Sequence, residues 1–361
     1  MKKKVAIIGS NGIPAKYGGY ETLAEHLVEE LAEIYDISVY CSRHSYTDRP
    51  RKYKKANMVY LPLKANGWQS IPYDLISYIH ASLTGHKSIL VLGASGAMFF
   101  PLNLLFKRNL IMNHGGLKEW EREKANWLEK KWSFFSRKVS AGFIKHHVGD
   151  NPYVAESLKE CFGVEANIIE YGGDHAKKTN VDNENIKKYP FLGGEYAVCV
   201  ARAQIDNNLH LLIDSFKEAK NFNVVIVSNW SVSRYGQELY EKYVNKYENI
   251  KLLKAIYDLR ELNLIRGNAS VYIHSHSYCG TSPSLVEAMH MNIPIICFDV
   301  PTNRYTTNNK AFYFKNEIEL INILNNLNRE SLEYNRQEML NLANERYRWK
   351  VIGKKYSKLF N

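Results

Sequence analysis

Hydrophobic residues in this chain come in short unbroken runs set between longer polar or amphipathic stretches. KVAIIGS (4–10) leads through a loop into ETLAEHLVEELAEIY (21–35), whose apolar positions recur at helical spacing. DISVYCS (36–42) follows. MVYLPL (58–63), SILVLGA (88–94) and NLIMNHG (109–115) continue the alternation. Runs of Val, Ile and Leu without a polar alternate predict strands buried on both faces, hence a parallel α/β sheet. Near residue 180 the texture changes. KKTNVDNENIKKYPFLGGE is polar, carries Pro and paired Gly, and reads as a linker. The alternation then restarts in YAVCVAR, NVVIVSN, NIKLLK, SVYIHSH and IPIICFD. Two doubly wound domains of nucleotide-binding type are expected, with ligands at the carboxyl ends of their strands and a cleft between them. The tail NERYRWKVIGKKYSKLF predicts an amphipathic helix whose aromatic residues need a surface to bury against.

Composition narrows the classes. With 361 residues, 45% of them hydrophobic, the chain has enough material for two cores. Five cysteines without close spacing argue against a disulfide framework and for a reducing, cytosolic setting. The opening MKKKVAIIGS is too short in apolar residues for a signal peptide. The apolar stretch at 88–106 is interrupted by Gly93, Gly96 and Pro101, so it is expected to be a buried strand and not a membrane span. The formal charge of +11 would draw nucleic acid, anionic lipid or anionic small substrates, or is simply a solvated face. Dispersed basic residues without a recognised motif count against nucleic acid.

Four segments carry candidate chemistry. The first is GSNGIPAKYGGYETLAEHL, leaving a strand for a helix. Its glycines permit sharp turns, and helix-start amides suit phosphate or sugar hydroxyls. Its spacing is neither a dinucleotide fingerprint nor a P-loop. The second is VYIHSHSYCGTSPSLVEAMHMNIPIICFD (271–299). There Ser282 is placed as an N-cap, Pro283 fits the first helical turn, and Gly280, Thr281 and Ser284 surround an anion site built from backbone. Glu287, one turn further, would accept from hydroxyls such as those of a ribose. His274, His276 and Cys279 make only an incomplete zinc set, and the plainer reading of the histidines is strand-end packing. The third is Arg202, directly after a strand, set to fork onto phosphate or to form a surface ion pair. The fourth is His114, ahead of two glycines. It would contact a sugar or serve structure, with Trp120 and Trp127 packing a helix or forming an acceptor face.

Together these segments, with VVIVSNWSVSRYGQELY, AIYDLRELNLIRGNAS and FDVPTNRYTTNNKAFYF, resemble family 4 glycosyltransferases of the GT-B architecture. They are most similar to the rhamnosyltransferase branch of bacterial surface-polysaccharide assembly. The resemblance implies an N-terminal acceptor-side domain over 1–185, a C-terminal nucleotide-sugar domain over 186–342, and a C-terminal helix over 343–361 returning to the first domain. It implies catalytic roles for His114, Arg202 and Glu287. Arg202 would take the diphosphate and Glu287 the ribose. Gly280, Thr281, Ser282 and Ser284 would hold phosphate or sugar, and Tyr257 and Asp258 would lie near the base. Gly18 and Gly19 would approach donor and acceptor, with Lys16, Tyr17 and Trp120 on the acceptor side. Transfer would retain configuration, with no metal and no cofactor, from a nucleotide-sugar donor to a lipid-linked saccharide. The setting would be cytoplasmic, peripheral at the inner face of the membrane on its anionic surface, and no nucleic acid would be involved. The sequence departs from the family pattern twice. Cys279 stands where a first glutamate is usual, which favours a deoxy sugar such as dTDP-L-rhamnose over a UDP-hexose. Asn207 or Asn208 stands for the lysine that usually accompanies Arg202, leaving Lys16 or Arg304 to supply positive charge. A non-catalytic nucleotide-sugar-binding protein is the alternative that these two losses raise.

Overall fold

The computed structural model describes residues 2–16, 18–116 and 127–361. The chain forms two compact units, Met1–Tyr171 with Trp349–Asn361, and Gly172–Arg348.

The first unit is built on eight strands: β1 (Lys3–Ile8), β2 (Tyr35–Ser42), β3 (Lys52–Tyr53), β4 (Ala56–Leu61), β5 (Ser88–Leu92), β6 (Asn109–Asn113), β7 (His146–Gly149) and β8 (Ala166–Ile168). Their order is β3-β4-β2-β1-β5-β6-β7-β8, and only the β3–β4 pair is antiparallel. The strands rich in Val, Ile and Leu occupy the middle. β5 is buried along its whole length, as both-face coverage by helices requires. The order reverses between β1 and β5, so the glycine loop after β1 emerges at the switch point of this sheet.

The tail is not one helix, and only its Trp349–Asn361 part belongs to this unit. A helix over Arg329–Arg346 stops at Tyr347, and a second runs over Trp349–Phe360. The Tyr347 carbonyl is drawn out of helical bonding by the Gly173 amide and by His290 Nε2, each at 2.8 Å. Within the first unit the final helix packs on the Gly19–Leu31 helix. Trp349 stacks on His26 at 4.5 Å, and Asn113 Nδ2 donates to the Tyr356 hydroxyl at 2.8 Å. Trp349, Tyr356 and Phe360, the aromatics that needed cover, are all buried here.

The second unit carries β9 (Ala197–Val200), β10 (Val224–Ser228), β11 (Ile250–Lys254), β12 (Val271–His274), β13 (Ile295–Phe298) and β14 (Phe312–Phe314). All pair in parallel in the order β11-β10-β9-β12-β13-β14. Numbered within the unit this is 3-2-1-4-5-6, the doubly wound order, with its switch point between β9 and β12. The polar stretch expected as a linker lies inside this unit. Asp182 and Asn185 form a capping box for a helix over Asn183–Lys188, and Tyr189 donates to Glu261 at 2.7 Å. The two compact units meet in the chain at Tyr171 and Gly172. Among the described residues no helix is long and apolar enough to cross a membrane.

Candidate functional site

In the second unit the chain segments leaving β9 and β12 are sewn to each other. Ser275 Oγ donates to the Asn207 carbonyl at 2.5 Å, Asn208 Nδ2 to the Ser275 carbonyl at 2.9 Å, and the Ser277 amide to the Asp206 carbonyl at 2.9 Å. Asn208 adopts a left-handed backbone, φ 51°, which asparagine tolerates. These bonds account for both asparagines at the position of the usual lysine. Asn207 is buried and gives its amide to the Arg202 carbonyl at 2.8 Å. They hold backbone in place and bring no charge. Arg202 itself is exposed just beyond β9.

After β12 the chain runs to the Pro283–His290 helix. Ser282 occupies the N-cap with extended backbone, as expected, but its side chain does not cap. Its hydroxyl lies 3.1 Å from that of Ser284 instead. Pro283 at the first turn has no N–H to satisfy, and the positive end of the helix is not capped by the Ser282 side chain. Gly280 and Thr281, just ahead of it, are buried. Tyr257 is 61% exposed, and the Asp258 carboxylate caps the Leu259–Gly267 helix by accepting from the Glu261 amide at 2.8 Å.

Glu287 sits one turn into the Pro283–His290 helix and is held by Arg266 and His175. Arg266 Nη1 lies 2.5 Å from one oxygen and His175 Nε2 lies 3.2 Å from the other. Burial pushes this carboxyl up, but the Arg266 guanidinium and the His175 bond outweigh it and hold it at about 2. Each oxygen spends one bond, so each keeps lone-pair capacity for a hydroxyl. Gly173 explains how His175 reaches this place. A Cβ there would stand 2.7 Å from the Val286 carbonyl, so only glycine lets the 172–176 segment lie against the helix. Sequence reasoning missed both partners. The available signal was charge in apolar company: Arg266 follows buried Leu264 and Ile265, and Glu287 interrupts buried Leu285, Val286 and Ala288.

Cys279 turns its sulfur toward Asn303, 3.4 Å from Oδ1, with His274 Nε2 at 3.9 Å. His274 is buried and stacks on His276, centroids 4.2 Å apart. Among the described residues no group of three or more His, Cys, Asp or Glu side chains is gathered as a metal ion would need. Arg304 is bound in two places to Asp299, with Nη2 at 2.9 Å from Oδ2, and covers the Tyr313 ring at 4.1 Å.

The first unit answers differently. Its glycine loop is backed by carboxylates. Glu21, buried, accepts from the Asn11 amide at 2.8 Å and from Asn11 Nδ2 at 3.1 Å; Glu25 accepts from the Ala15 amide at 2.6 Å. Burial works against the Glu25 charge, but bonds from Lys54, Ala15 and Tyr53 hold it below the usual carboxylate range. Gly18, at φ 128°, is the N-cap of the helix that Gly19 begins, and a Cβ on it would meet Glu21 Oε2 at 2.2 Å. Lys16 donates to the Ser45 carbonyl at 2.7 Å and lies over the Tyr46 ring. His114 is buried. Its Nε2 meets His147 Nδ1 at 2.9 Å, and His147 Nε2 meets the Ala141 carbonyl at 3.2 Å. A carbonyl only accepts, so His147 carries its proton on Nε2 and His114 on its own Nε2, leaving His114 Nδ1 as an acceptor. Burial, with Arg137 nearby, keeps His114 neutral. Tyr17 and Trp120 lie outside the described residues.

In comparison with known proteins, two stretches of the chain match family models. Residues 2–174 match a domain of unknown function, DUF1972, and residues 181–340 match glycosyl transferases group 1. No curated protein matches in sequence. Solved structures of similar shape include sucrose-phosphate synthase from Thermosynechococcus elongatus. It is 13% identical with TM-score 0.82, and the match covers 99% of this chain and 98% of that one. Anabaena HepE in complex with UDP and glucose is 12% identical with TM-score 0.76, covering 99% and 98%. A glycosyltransferase from Rickettsia africae is 12% identical with TM-score 0.75, again covering 99% and 98%. At such identities the likeness is one of fold, and the fold is GT-B-like, with two Rossmann-like sheets. The domain matched over residues 181–340 and this fold together support a glycosyltransferase.

Proposed function

We propose that this protein moves a sugar from a nucleotide diphosphate donor, with dTDP-L-rhamnose as the leading donor, to a lipid-linked saccharide at an anionic membrane surface on the cytoplasmic side. The observation that carries the donor reading is the pair of tied segments after β9 and β12 at the switch point. They combine an exposed arginine with a helix start that its own N-cap side chain does not cap. Arg202 takes the diphosphate through its guanidinium, and the amides ahead of Pro283 meet a second phosphate oxygen or the sugar. Fixed positive potential at the departing diphosphate lowers the barrier to its loss, with no metal needed. Transfer retains configuration, and the leaving phosphate takes the acceptor's proton. Glu287, held ionised by Arg266 and His175, accepts from the ribose hydroxyls. Tyr257 lies by the base. Gly18, Gly19 and Lys16 serve the acceptor side, and the neutral His114 accepts from a sugar hydroxyl through Nδ1. Cys279, in place of a carboxylate, suits a sugar with one hydroxyl fewer.

A UDP-hexose donor is the second reading, favoured by the likeness in fold to HepE, whose structures hold UDP with glucose and UDP-glucose. Calorimetry and thermal unfolding with dTDP, UDP, GDP and their sugars decide between them. A ligand present at a hundred times its dissociation constant adds about 2.7 kcal/mol of stability. Preference for dTDP, strengthened by rhamnose, supports the first reading, and preference for UDP the second. Binding without transfer to any acceptor would make the chain a nucleotide-sugar-binding protein. Absence of nucleotide binding would overturn the donor site.

A further inference from the structure

We propose that the exposed face of the Trp127–Ser140 helix is the surface by which this protein docks on anionic lipid. This deepens the peripheral-membrane part of the reading above and rests on it. The helix is WLEKKWSFFSRKVS. At about 100° per residue, Trp127, Leu128, Lys131, Phe135 and Lys138 fall within one arc of roughly 100°. All five are exposed, Trp127 at 63%, Leu128 at 60% and Phe135 at 53%. Glu129, the helix's acidic residue, projects well outside that arc.

The orientation is set from the other side. Ser136 and Ser140 are fully buried. Ser136 Oγ accepts from the Met98 amide and donates to the Ala94 carbonyl, both at 2.9 Å, and Trp132 Nε1 donates to the Ser95 carbonyl at 3.1 Å. The apolar residues of the outer arc are therefore not left over from a rotated helix. A second patch of the same composition lies nearby in the chain. Leu104 and Leu105 are 67% and 77% exposed on the short Asn103–Phe106 helix, followed by exposed Lys107. That helix continues directly from the Ala97–Leu102 turn, against which the Trp127–Ser140 helix packs.

Charge decides the occupant. A second copy seated face to face on the same patch would set Lys131 and Lys138 against like charge. A nucleic acid would use the lysines but leave Leu128, Leu104 and Leu105 in water. An anionic bilayer satisfies both parts, with phosphates for the lysines and an acyl boundary for Leu and Phe. Lys131, 4.8 Å from the Trp127 ring centroid, shows the cation and aromatic placed at one level, as an interfacial site requires.

The test is co-sedimentation of the full chain with vesicles of phosphatidylcholine, with and without phosphatidylglycerol. Binding is expected only with phosphatidylglycerol and weakens as salt rises. Lys131→Glu with Lys138→Glu should cut partitioning by about 30-fold or more. Leu128→Ser with Phe135→Ser should cut it by roughly tenfold. These positions are exposed, so the unfolding midpoint should not move. Indifference of the wild type to phosphatidylglycerol, or variants that bind like it, would overturn the proposal. So would a vesicle-free dimer that these substitutions dissolve. Nucleotide binding measured on the same samples separates the two readings. Vesicle binding without nucleotide binding upholds the docking face and removes the donor assignment.

Discussion

The two units present the same topological place in opposite electrostatic dress. After β1 the glycine loop gives its Asn11 and Ala15 amides to Glu21 and Glu25, so a phosphate arriving there would face carboxylates. After β9 and β12 the exposed residue is Arg202, and the N-cap side chain of the nearby helix, Ser282, does not cap it. Loops at the switch points of two like sheets therefore differ in charge: the reading proposed above assigns uncharged hydroxyls to the first and an anion to the second. Glycine content is a poor guide to this difference, because glycine permits a close approach without stating by what. The carboxylates one turn into the following helices say more. Glu21 is turned back onto its loop, whereas the Glu287 charge is balanced by the Arg266 guanidinium, with His175 on its other oxygen.

The largest way to break this contrast is to unpair Glu287. Arg266→Met leaves a carboxylate with one weaker partner in a buried place and should cost about 3–5 kcal/mol in urea unfolding. Next comes pH. The folded Glu287 carboxyl lies at about 2 against an ordinary value of 4.5, so its contribution is present above 4.5 and is lost as pH falls toward 2. The stability gap between wild type and Glu287→Gln should therefore close by about 3 kcal/mol over that window. A smaller pair of effects tests the contrast itself. Arg202→Ala should weaken nucleotide binding by about 1.5–3 kcal/mol with the unfolding midpoint unchanged. Glu21→Ala should leave nucleotide affinity intact and lower stability by about 1 kcal/mol, because it strips the partly buried Asn11 amide of its acceptor. Equal loss of nucleotide affinity in both variants would erase the distinction between the units. The smallest effect is expected of Arg304→Gln. It gives up a partly exposed pair with Asp299 worth about 0–1 kcal/mol, and nucleotide affinity should hold. A large loss of affinity would return Arg304 to the donor site.

Much of the fold was legible because central parallel strands must be apolar throughout. KVAIIGS, SILVLGA, NVVIVSN and IPIICFD all became strands. β7 was not legible, since its HHVG carries two histidines. One of them, His147, is an interior polar group satisfied by His114 and the Ala141 carbonyl. β3, β8 and β14 were missed as short segments at or near sheet edges, where one side needs little apolar cover. The site was legible by position, at the ends of strands, and only partly by partner. Ser282 stands at the N-cap but bonds Ser284, and the asparagines at the lysine position serve backbone.

By itself the sequence determined the class of fold, the restart of the alternation, and the residues that emerge at strand ends. These follow from local periodicity, because burial on both faces leaves no other pattern. Tertiary structure alone decided the strand order, the break at Tyr347, and the partners of every buried charge. Such choices join residues far apart in the chain: His175, Arg266 and Glu287 meet only when three separate elements pack, and no local rule ranks that meeting above its competitors. A buried charge announces in sequence that it needs a partner; only packing in three dimensions names which one.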